Sequence, residues 1–558
     1  MRVLGVNAIY HDPAAALVVD GEIVAAAEEE RFSRRKHGKR PVAFAAWELP
    51  ELAARWCLER AGLTAADVDA VSYSYDPALV RPPAETGLPD PWDHLRTSYA
   101  RRAPQFLATA LPGLDPDAVR FVPHHVAHAA SAGLAAPHLE SSVLVLDGRG
   151  EAVSHLAGRY GADGELTVLA SQRLPHSLGL LYEDVTEHLG FLRSSDEYKV
   201  MALASYGVPR HLPALREAVR ATGDGGFRTD PVAWDALAKR RAPAPGGQPG
   251  MAEWSAEHAD LAASVQVRLE EVLLELAGWL HAQTGDRVLT MAGGVALNCV
   301  ANSRLAAQGP FEQIWVQPAA GDAGTALGGA LQVAAEAGER AAPMPGAALG
   351  RGWTDGELAA WLDTAGWPYE RPAGVSALAS AVAEVLAADG VVGWFAGRSE
   401  YGPRALGHRS LLANPARREM LTRLNEVKGR EQFRPVAPMV RLDRAAEVFD
   451  GPLPSPYMLF VHRVRPEWVD RIPAVVHVDG TARAQTVDPA DEPELAALLA
   501  AFERRTGLPC LVNTSLNTAG RPMVDDPRDA LELFGSAPVD VLVLGPFLLR
   551  RPLAGDRR

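Results

Sequence analysis

The sequence predicts an α/β chain with a duplicated N-terminal half and a second α/β domain behind it, and three observations carry that expectation. An apolar strand over residues 3–7 leads through a loop into a hairpin, 14–19 and 22–27, joined at Asp20-Gly21. Asp-Gly between two apolar runs is a strong hairpin signal, because both turn positions tolerate positive φ. The same order returns at residues 143–146, with a loop through Gly150, a strand near Leu156, a second turn at Asp163-Gly164 and a strand at 166–170. Two such units mark an internal repeat, each half offering one loop to a shared cleft. Finally, Pro343 and Pro345 stand among glycines and alanines in the composition of a linker, and the chain changes character beyond them. The expected division is therefore 1–340, a linker region at 341–374, and 375–558.

Bulk properties narrow the function. A chain of 558 residues exceeds a single core and predicts two to four domains. Its 55 basic and 69 acidic residues give a net charge of −14, which repels nucleic acid and anionic membranes and tolerates a cationic small molecule. Cys57, Cys299 and Cys510 are odd in number and far apart, so neither a disulfide framework nor a CxxC metal site is expected. No apolar run reaches membrane-spanning length and the first residues read as a strand rather than a leader. A cytoplasmic protein without nucleic-acid or membrane partners is expected, with a homodimer as the general prior.

Taken in order, the first loop holds His11-Asp12-Pro13, where His11 is either a turn residue or a base titrating near working pH. The run Glu28-Glu29-Glu30-Arg31-Phe32-Ser33-Arg34-Arg35-Lys36 continues into a basic block ending at Arg40 and Pro41, read as a solvated face or an anion-contacting loop. His124 and His128 stand four residues apart in an alanine-rich run, which on a helix puts both imidazoles on one face. Such a pair either packs within the fold or grips a divalent ion with carboxylates from elsewhere, and Asp147 and Asp322, each beside glycine, are the candidates. Asp147 precedes Gly148 and Gly150, so a place in a nucleotide site is equally open to it. Residues 209–249, rich in Pro, Gly and charge, predict an irregular excursion, and 261–281 has helical periodicity. Gly293-Gly294 between strand and helix, with Asn298 after it, fits close approach to a phosphate or ribose. After the linker a strand near 391–395 is followed by Arg398, Arg404, Arg409, Lys428, Arg430, Arg434 and Arg483. So many cations in an acidic protein call for anionic partners, either polyphosphate or Glu400, Glu426 and Glu431. Residues 511–520 add hydroxyls and amides suited to phosphate or carbamate.

With those residues in place the chain resembles the NodU/CmcH family of ATP-dependent O-carbamoyltransferases, almost end to end. The matching pieces are residues 28–36, His124-x-x-x-His128, Ser177-Leu178-Gly179, Tyr198-Lys199-Val200-Met201, Gly293-Gly294-Val295-Ala296-Leu297-Asn298, Tyr401-Gly402-Pro403-Arg404-Ala405-Leu406-Gly407, Phe433-Arg434-Pro435 and Asn513-Thr514-Ser515-Leu516-Asn517. The resemblance implies an N-terminal actin-like ATPase fold (ASKHA), similar to that of the tRNA threonylcarbamoyl transferases. It also implies a C-terminal YrdC-like α/β domain with a Lys-x-Arg plus Ser-x-Asn signature, here Lys428-x-Arg430 and Ser515-x-Asn517. By the same resemblance the C-terminal domain makes carbamoyl-AMP from ATP, with its Mg(2+), and carbamoyl phosphate. Lys428, Arg430, Arg434 and Arg483 would neutralise phosphate charge, with Arg404 and Arg409 binding the nucleotide and Ser515 and Asn517 positioning the nucleotide or carbamate. The adenylate would pass to the N-terminal cleft, where His124, His128, Asp147 and Asp322 hold a metal, iron(II) by family and zinc or manganese by ligand type. There Lys36, Gly148, Gly293, Gly294 and Asn298 would contact the adenylate, and His11 would take the proton of the attacking hydroxyl.

Two competitors follow from the same fold. A sugar or acetate kinase wants an acidic magnesium ligand in the first strand-end loop, where this chain has Asn7 and a histidine, and no GxxxxGK loop is present. A tRNA modifier wants a basic, aromatic face, which the acidic balance disfavours. The acceptor is expected to be a hydroxylated small molecule of secondary (antibiotic) metabolism, with an aminoglycoside the choice most compatible with the acidic surface.

Overall fold

The computed structural model describes residues 1–38, 49–88, 92–241, 254–518 and 520–551. The chain divides into two compact units, Met1–Gly346 and Ala347–Arg558. In the first unit β1 (Arg2–Asn7), β2 (Ala14–Val19), β3 (Glu22–Glu28), β4 (Ala70–Tyr73) and β5 (Val119–Phe121) lie in the order β3-β2-β1-β4-β5. The hairpin strands are antiparallel to their neighbours, while β4 joins β1 and β5 joins β4 in parallel. Asp20 (φ 51°) and Gly21 (φ 81°) make the turn between β2 and β3, both in the left-handed region that a two-residue hairpin demands.

The second sheet repeats this plan. It begins with β6 (Ser141–Leu146), β7 (Val153–Tyr160) and β8 (Leu166–Arg173), all antiparallel. The chain then leaves for a hairpin, β9 (Val219–Ala221) and β10 (Phe227–Thr229), and returns as β11 (Val288–Ala292) and β12 (Gln313–Val316) in the order β12-β11-β6-β7-β8. β11 is parallel to both β6 and β12.

Small residues let the two sheets share a thin layer of helix. Helix Ala323–Glu336 packs on helix His124–Gly133 and also on β1 and β2. A Cβ at Gly328 would lie 1.8 Å from the Ala127 carbonyl oxygen, so only glycine permits that approach. The layer brings the carboxyl ends of the parallel strands to one place, which is where α/β sheets bind ligands.

The second unit has one seven-stranded mixed sheet and one small sheet. Its strands are β13 (Val392–Phe395), β14 (Arg409–Ala413), β15 (Ala437–Arg441), β16 (Phe449–Asp450), β17 (His462–Val464), β18 (Thr481–Ala482), β19 (Gln485–Val487), β20 (Cys510–Ser515), β21 (Val541–Leu544) and β22 (Phe547–Arg550). The large sheet runs β19-β15-β20-β14-β13-β21-β22 and the small one β16-β17-β18. Helices Val375–Ala387 and Pro493–Thr506 pack together against a core that includes Trp394, Phe395, Phe502, Phe534 and Phe547.

Several expectations are corrected here. The segment expected to be an irregular excursion holds helix Leu212–Ala218, the β9–β10 hairpin and helix Trp234–Leu237. Its Leu215, Val219 and Phe227 are buried, so the Pro and Gly punctuate elements rather than replace them. Residues 242–249 of that segment lie outside the described residues, as do Lys39, Arg40 and Pro41 of the basic block. The expected linker contains helix Asp355–Ala365, started by a reciprocal Thr354–Glu357 capping box, and the second unit begins at Ala347. Nor is the acidic start of the charged block a solvated face: Glu28 and Arg31 are buried and paired at 2.8 Å. Glu29 is buried as well, accepting from Ala53 N at 2.8 Å at the start of helix Glu51–Arg60.

Candidate functional site

Four side chains meet at the strand ends of the first unit. Helix His124–Gly133 follows β5 and carries His124 and His128, Asp147 comes directly after β6, and Asp322 opens helix Ala323–Glu336. The two histidines are fully buried and Asp147 and Asp322 nearly so. His124 Nε2 lies 3.6 Å from Asp147 Oδ2 and 3.6 Å from Asp322 Oδ1, and His128 Nε2 lies 3.9 Å and 3.6 Å from the same two atoms. Those gaps are too long for hydrogen bonds. They fit donors placed around one ion, since ligands at 2.0–2.2 Å in tetrahedral array stand roughly 3.4 Å apart.

The surrounding atoms fix this arrangement. His124 Nδ1 donates to the Ser74 carbonyl at 3.0 Å, which leaves the Nε2 lone pair turned to the centre. Gly294 N donates to Asp147 Oδ1 at 2.9 Å, leaving Oδ2 for the centre. Glu151 accepts from His124 N at 2.9 Å and from Asp76 N at 2.8 Å, tying the helix start to the loop after β4. Among the described residues His124 Nε2, His128 Nε2 and both Asp322 oxygens have no hydrogen-bond partner. Four such buried atoms are costly alone, and one divalent cation would satisfy them together. Burial opposes charge on His124, but the Asp147 and Asp322 carboxylates outweigh it and hold its pKa well above the usual value. Burial likewise pushes Asp147 and Asp322 up, and the histidines around them more than reverse it, so both stay below the ordinary range. His125, buried beside His124, is driven down to about 3 and stays neutral.

His11 stands at the rim of this centre, a quarter exposed, with Nε2 3.7 Å from Asp322 Oδ2. Lys36 is half-buried in the short turn Lys36–Gly38. Ser177 Oγ donates to the Gly148 carbonyl at 2.7 Å and caps helix Leu178–His188. Gly293 takes φ 91°, where a Cβ would meet the Leu146 carbonyl oxygen at 2.2 Å. Two expected nucleotide contacts are corrected. The Gly294 N–H is committed to Asp147, and Asn298 spends its side chain internally, accepting from Ala301 N at 3.0 Å and donating to Gln266 Oε1 at 2.8 Å. Asn298 is a helix cap, a role its sequence setting before Cys299–Gln308 equally fits.

The second unit gathers the other signature. Lys428, at the end of helix Glu419–Lys428 and buried, donates from Nζ to Ser515 Oγ at 3.0 Å, to Asn517 Oδ1 at 2.6 Å and to the Asn517 carbonyl at 3.2 Å. Ser515 Oγ donates in turn to Asn517 Oδ1 at 2.7 Å. Asn425 organises the following loop: its Oδ1 accepts from Arg430 Nε at 2.6 Å and its Nδ2 donates to the Arg434 carbonyl at 3.1 Å. Arg434 also lies 3.5 Å from Glu431. Arg404 belongs to a loop folded around buried Glu400, whose Oε1 accepts from Leu406 N at 2.7 Å and His408 N at 3.0 Å. Arg483 follows β18, and burial together with that cation draws His477 down to about 4. Arg409 is corrected outright. It is fully buried, lies 3.7 Å over the Phe395 ring and donates to the carbonyls of Ala396 and Arg351 at 3.0 and 2.9 Å. It braces the sheet through those carbonyls.

Residues 2–85 and 92–331 match the family description "Carbamoyltransferase N-terminus", and residues 383–551 match "Carbamoyltransferase C-terminus". The chain belongs to the carbamoyltransferase family. It is 37% identical to nodulation protein NolNO of Sinorhizobium fredii, over 98% of this chain and 80% of that one. It is 36% identical to the uncharacterized protein sll1178 of Synechocystis, over 100% and 98% of the two chains. Among solved structures, full-length HypF in its phosphate- and nucleotide-bound form aligns at 15% identity, covering 60% of this chain and 55% of that one, with a TM-score of 0.30. The two five-stranded sheets share one plan, and the chain is a carbamoyl-transferring enzyme. Among the described residues no helix is long and apolar enough to cross a membrane.

Proposed function

We propose that this carbamoyltransferase works in two steps, using ATP and carbamoyl phosphate as its donors and a hydroxyl of a small molecule as its acceptor. The observation that carries the reading is the buried His124, His128, Asp147 and Asp322 centre, in which both Nε2 atoms and both Asp322 oxygens have no hydrogen-bond partner among the described residues. In the second unit Lys428, with Arg430 and Arg434, neutralises phosphate charge while carbamoyl-AMP forms and pyrophosphate and phosphate leave. Ser515 and Asn517 hold the Lys428 ammonium in place for that task. Arg404 and Arg483 are the remaining cations available to the nucleotide.

In the first unit the acceptor oxygen attacks the carbamoyl carbon and AMP leaves. His11 accepts the hydroxyl proton on Nε2, and Lys36, Gly148 and Gly293 line the adenylate. His124, His128, Asp147 and Asp322 would hold the metal, iron(II) in our reading, which when bound supplies Lewis acidity toward a phosphate or carbonyl oxygen. Mg(2+) accompanies ATP. The net charge of −14 favours a cationic acceptor such as an aminoglycoside, within antibiotic biosynthesis. All three cysteines are free and buried, in keeping with a reducing cytoplasm.

The partial reactions separate the two units. Lys428→Ala should abolish carbamoyl phosphate-dependent pyrophosphate release, whereas His124→Ala should leave release intact and stop transfer. Retention of release by the first variant, or of transfer by the second, removes the corresponding unit from the scheme.

A further inference from the structure

The first loop and the charged block meet at one carboxylate. Asp12 Oδ2 lies 3.0 Å from His11 Nδ1, and Asp12 Oδ1 lies 2.7 Å from His37 Nδ1. These are hydrogen-bond lengths, in contrast to the 3.6–3.9 Å gaps of the four-ligand centre. A carboxylate only accepts, so each imidazole donates its Nδ1 proton to it. The neutral form of His11 then carries its lone pair on Nε2, the atom 3.7 Å from Asp322 Oδ2.

The backbone around Asp12 is built to hold this contact. Asp12 takes φ 49° and His37 φ 58°, left-handed conformations that cost energy for residues with a Cβ. Fully buried Asn7 donates to the carbonyls of His11 and Asp12 at 3.0 Å each. The Asp12 N–H donates to the His37 carbonyl at 3.2 Å, and His37 N donates to Glu30 Oε2 at 2.8 Å. His37 Nε2 is buried without a hydrogen-bond partner among the described residues.

We infer that Asp12 is a positioning residue for transfer: it fixes the tautomer and ring plane of His11, with His37 clamping the far carboxylate oxygen. The inference rests on the reading of His11 as the base. As the acceptor O–H bond breaks, its proton goes to His11 Nε2. The acceptor oxygen bonds to the carbamoyl carbon, and the bond from that carbon to the adenylate oxygen breaks with its electron pair on AMP. The imidazolium so formed keeps its Nδ1–H on Asp12, whose negative charge offsets it. His37 adds the second hydrogen bond that keeps the carboxylate from rotating away.

The test is transfer from preformed carbamoyl-AMP to hydroxylated acceptors in the full-length, metal-loaded enzyme. The proteins compared are the parent, Asp12→Asn, His37→Gln, His11→Ala and the Asp12→Asn/His11→Ala double variant. Asp12→Asn should lower kcat about 100-fold, within the range of general-base effects, with acceptor KM and metal content unchanged. His37→Gln, whose amide can still donate to Asp12, should lose less than tenfold. In the double variant Asp12→Asn should add nothing to the loss caused by His11→Ala. Multiplying losses, or a fall in metal content matching the fall in kcat, overturns the positioning role. Full activity of His11→Ala overturns the base assignment beneath it instead, so the two failures are distinct.

Discussion

Asp322→Asn tests the metal centre with little disturbance of packing, because the side chains have the same shape and Asp322 is 1% exposed. A ligand that binds only the folded state stabilises by RT ln(1 + [L]/Kd), about 4 kcal/mol when the metal stands at a thousand times its Kd. Both Asp322 oxygens lack other partners and Oδ1 sits 3.6 Å from each histidine Nε2, so the substitution removes one of four donors and one of the two charges facing the cation. A hundredfold weaker site at the same metal concentration retains about 1.4 kcal/mol. The metal-dependent stabilisation of the first unit should therefore fall by roughly two thirds. Calorimetry under anaerobic conditions, with and without iron(II), reads both numbers for parent and variant. Equal metal-induced shifts in the two proteins, or none in either, would refute the reasoning that these four atoms share one ion.

Other predictions are briefer. Gly328→Ala should destabilise the first unit by about 1–3 kcal/mol, since the new Cβ would meet the Ala127 carbonyl oxygen at 1.8 Å; thermal unfolding reads it, and an unchanged midpoint contradicts the close packing. Arg409→Met should lower the stability of the second unit while leaving nucleotide affinity in the folded fraction unchanged, and selective loss of affinity would restore Arg409 to the binding site. Burial opposes charge on His408, but Glu492 at 3.0 Å and nearby Glu400 raise its pKa above 6.5. With the folded pKa above the unfolded one, this stabilisation is complete below pH 6.5 and lost as pH rises through the folded value. Urea unfolding at pH 6 and pH 8.5 should differ in the parent and converge in Glu492→Gln, whereas an equal pH dependence in both would rule out the pair as its source.

Much of the first unit was legible because local chemistry decides it. Asp20-Gly21 and Asp163-Gly164 set hairpins by their own conformational preferences, and the i, i+4 spacing of His124 and His128 needs only a helix to put both rings on one face. Asp147 and Asp322 could be named as strand-end carboxylates, but their meeting with the histidines depends on long-range sheet order. The limits appear where one letter serves two purposes. Arg409 and Lys428 read alike as cations after a strand, yet one lies over Phe395 and the other reaches Ser515 and Asn517. Asn298 looks like a ligand contact and is a helix cap. Residues 209–241 hid two helices and a hairpin behind Pro and Gly, because those residues mark element ends as well as irregular chain. The Asp12–His37 contact, across 25 positions, follows from tertiary structure alone.

Pyrophosphate release from ATP by the purified full-length enzyme, with and without carbamoyl phosphate and in the absence of any acceptor, tests the central claim most directly. Release that requires carbamoyl phosphate is the predicted result. No release, or formation of ADP in its place, would contradict the adenylating role assigned to Lys428, Ser515 and Asn517.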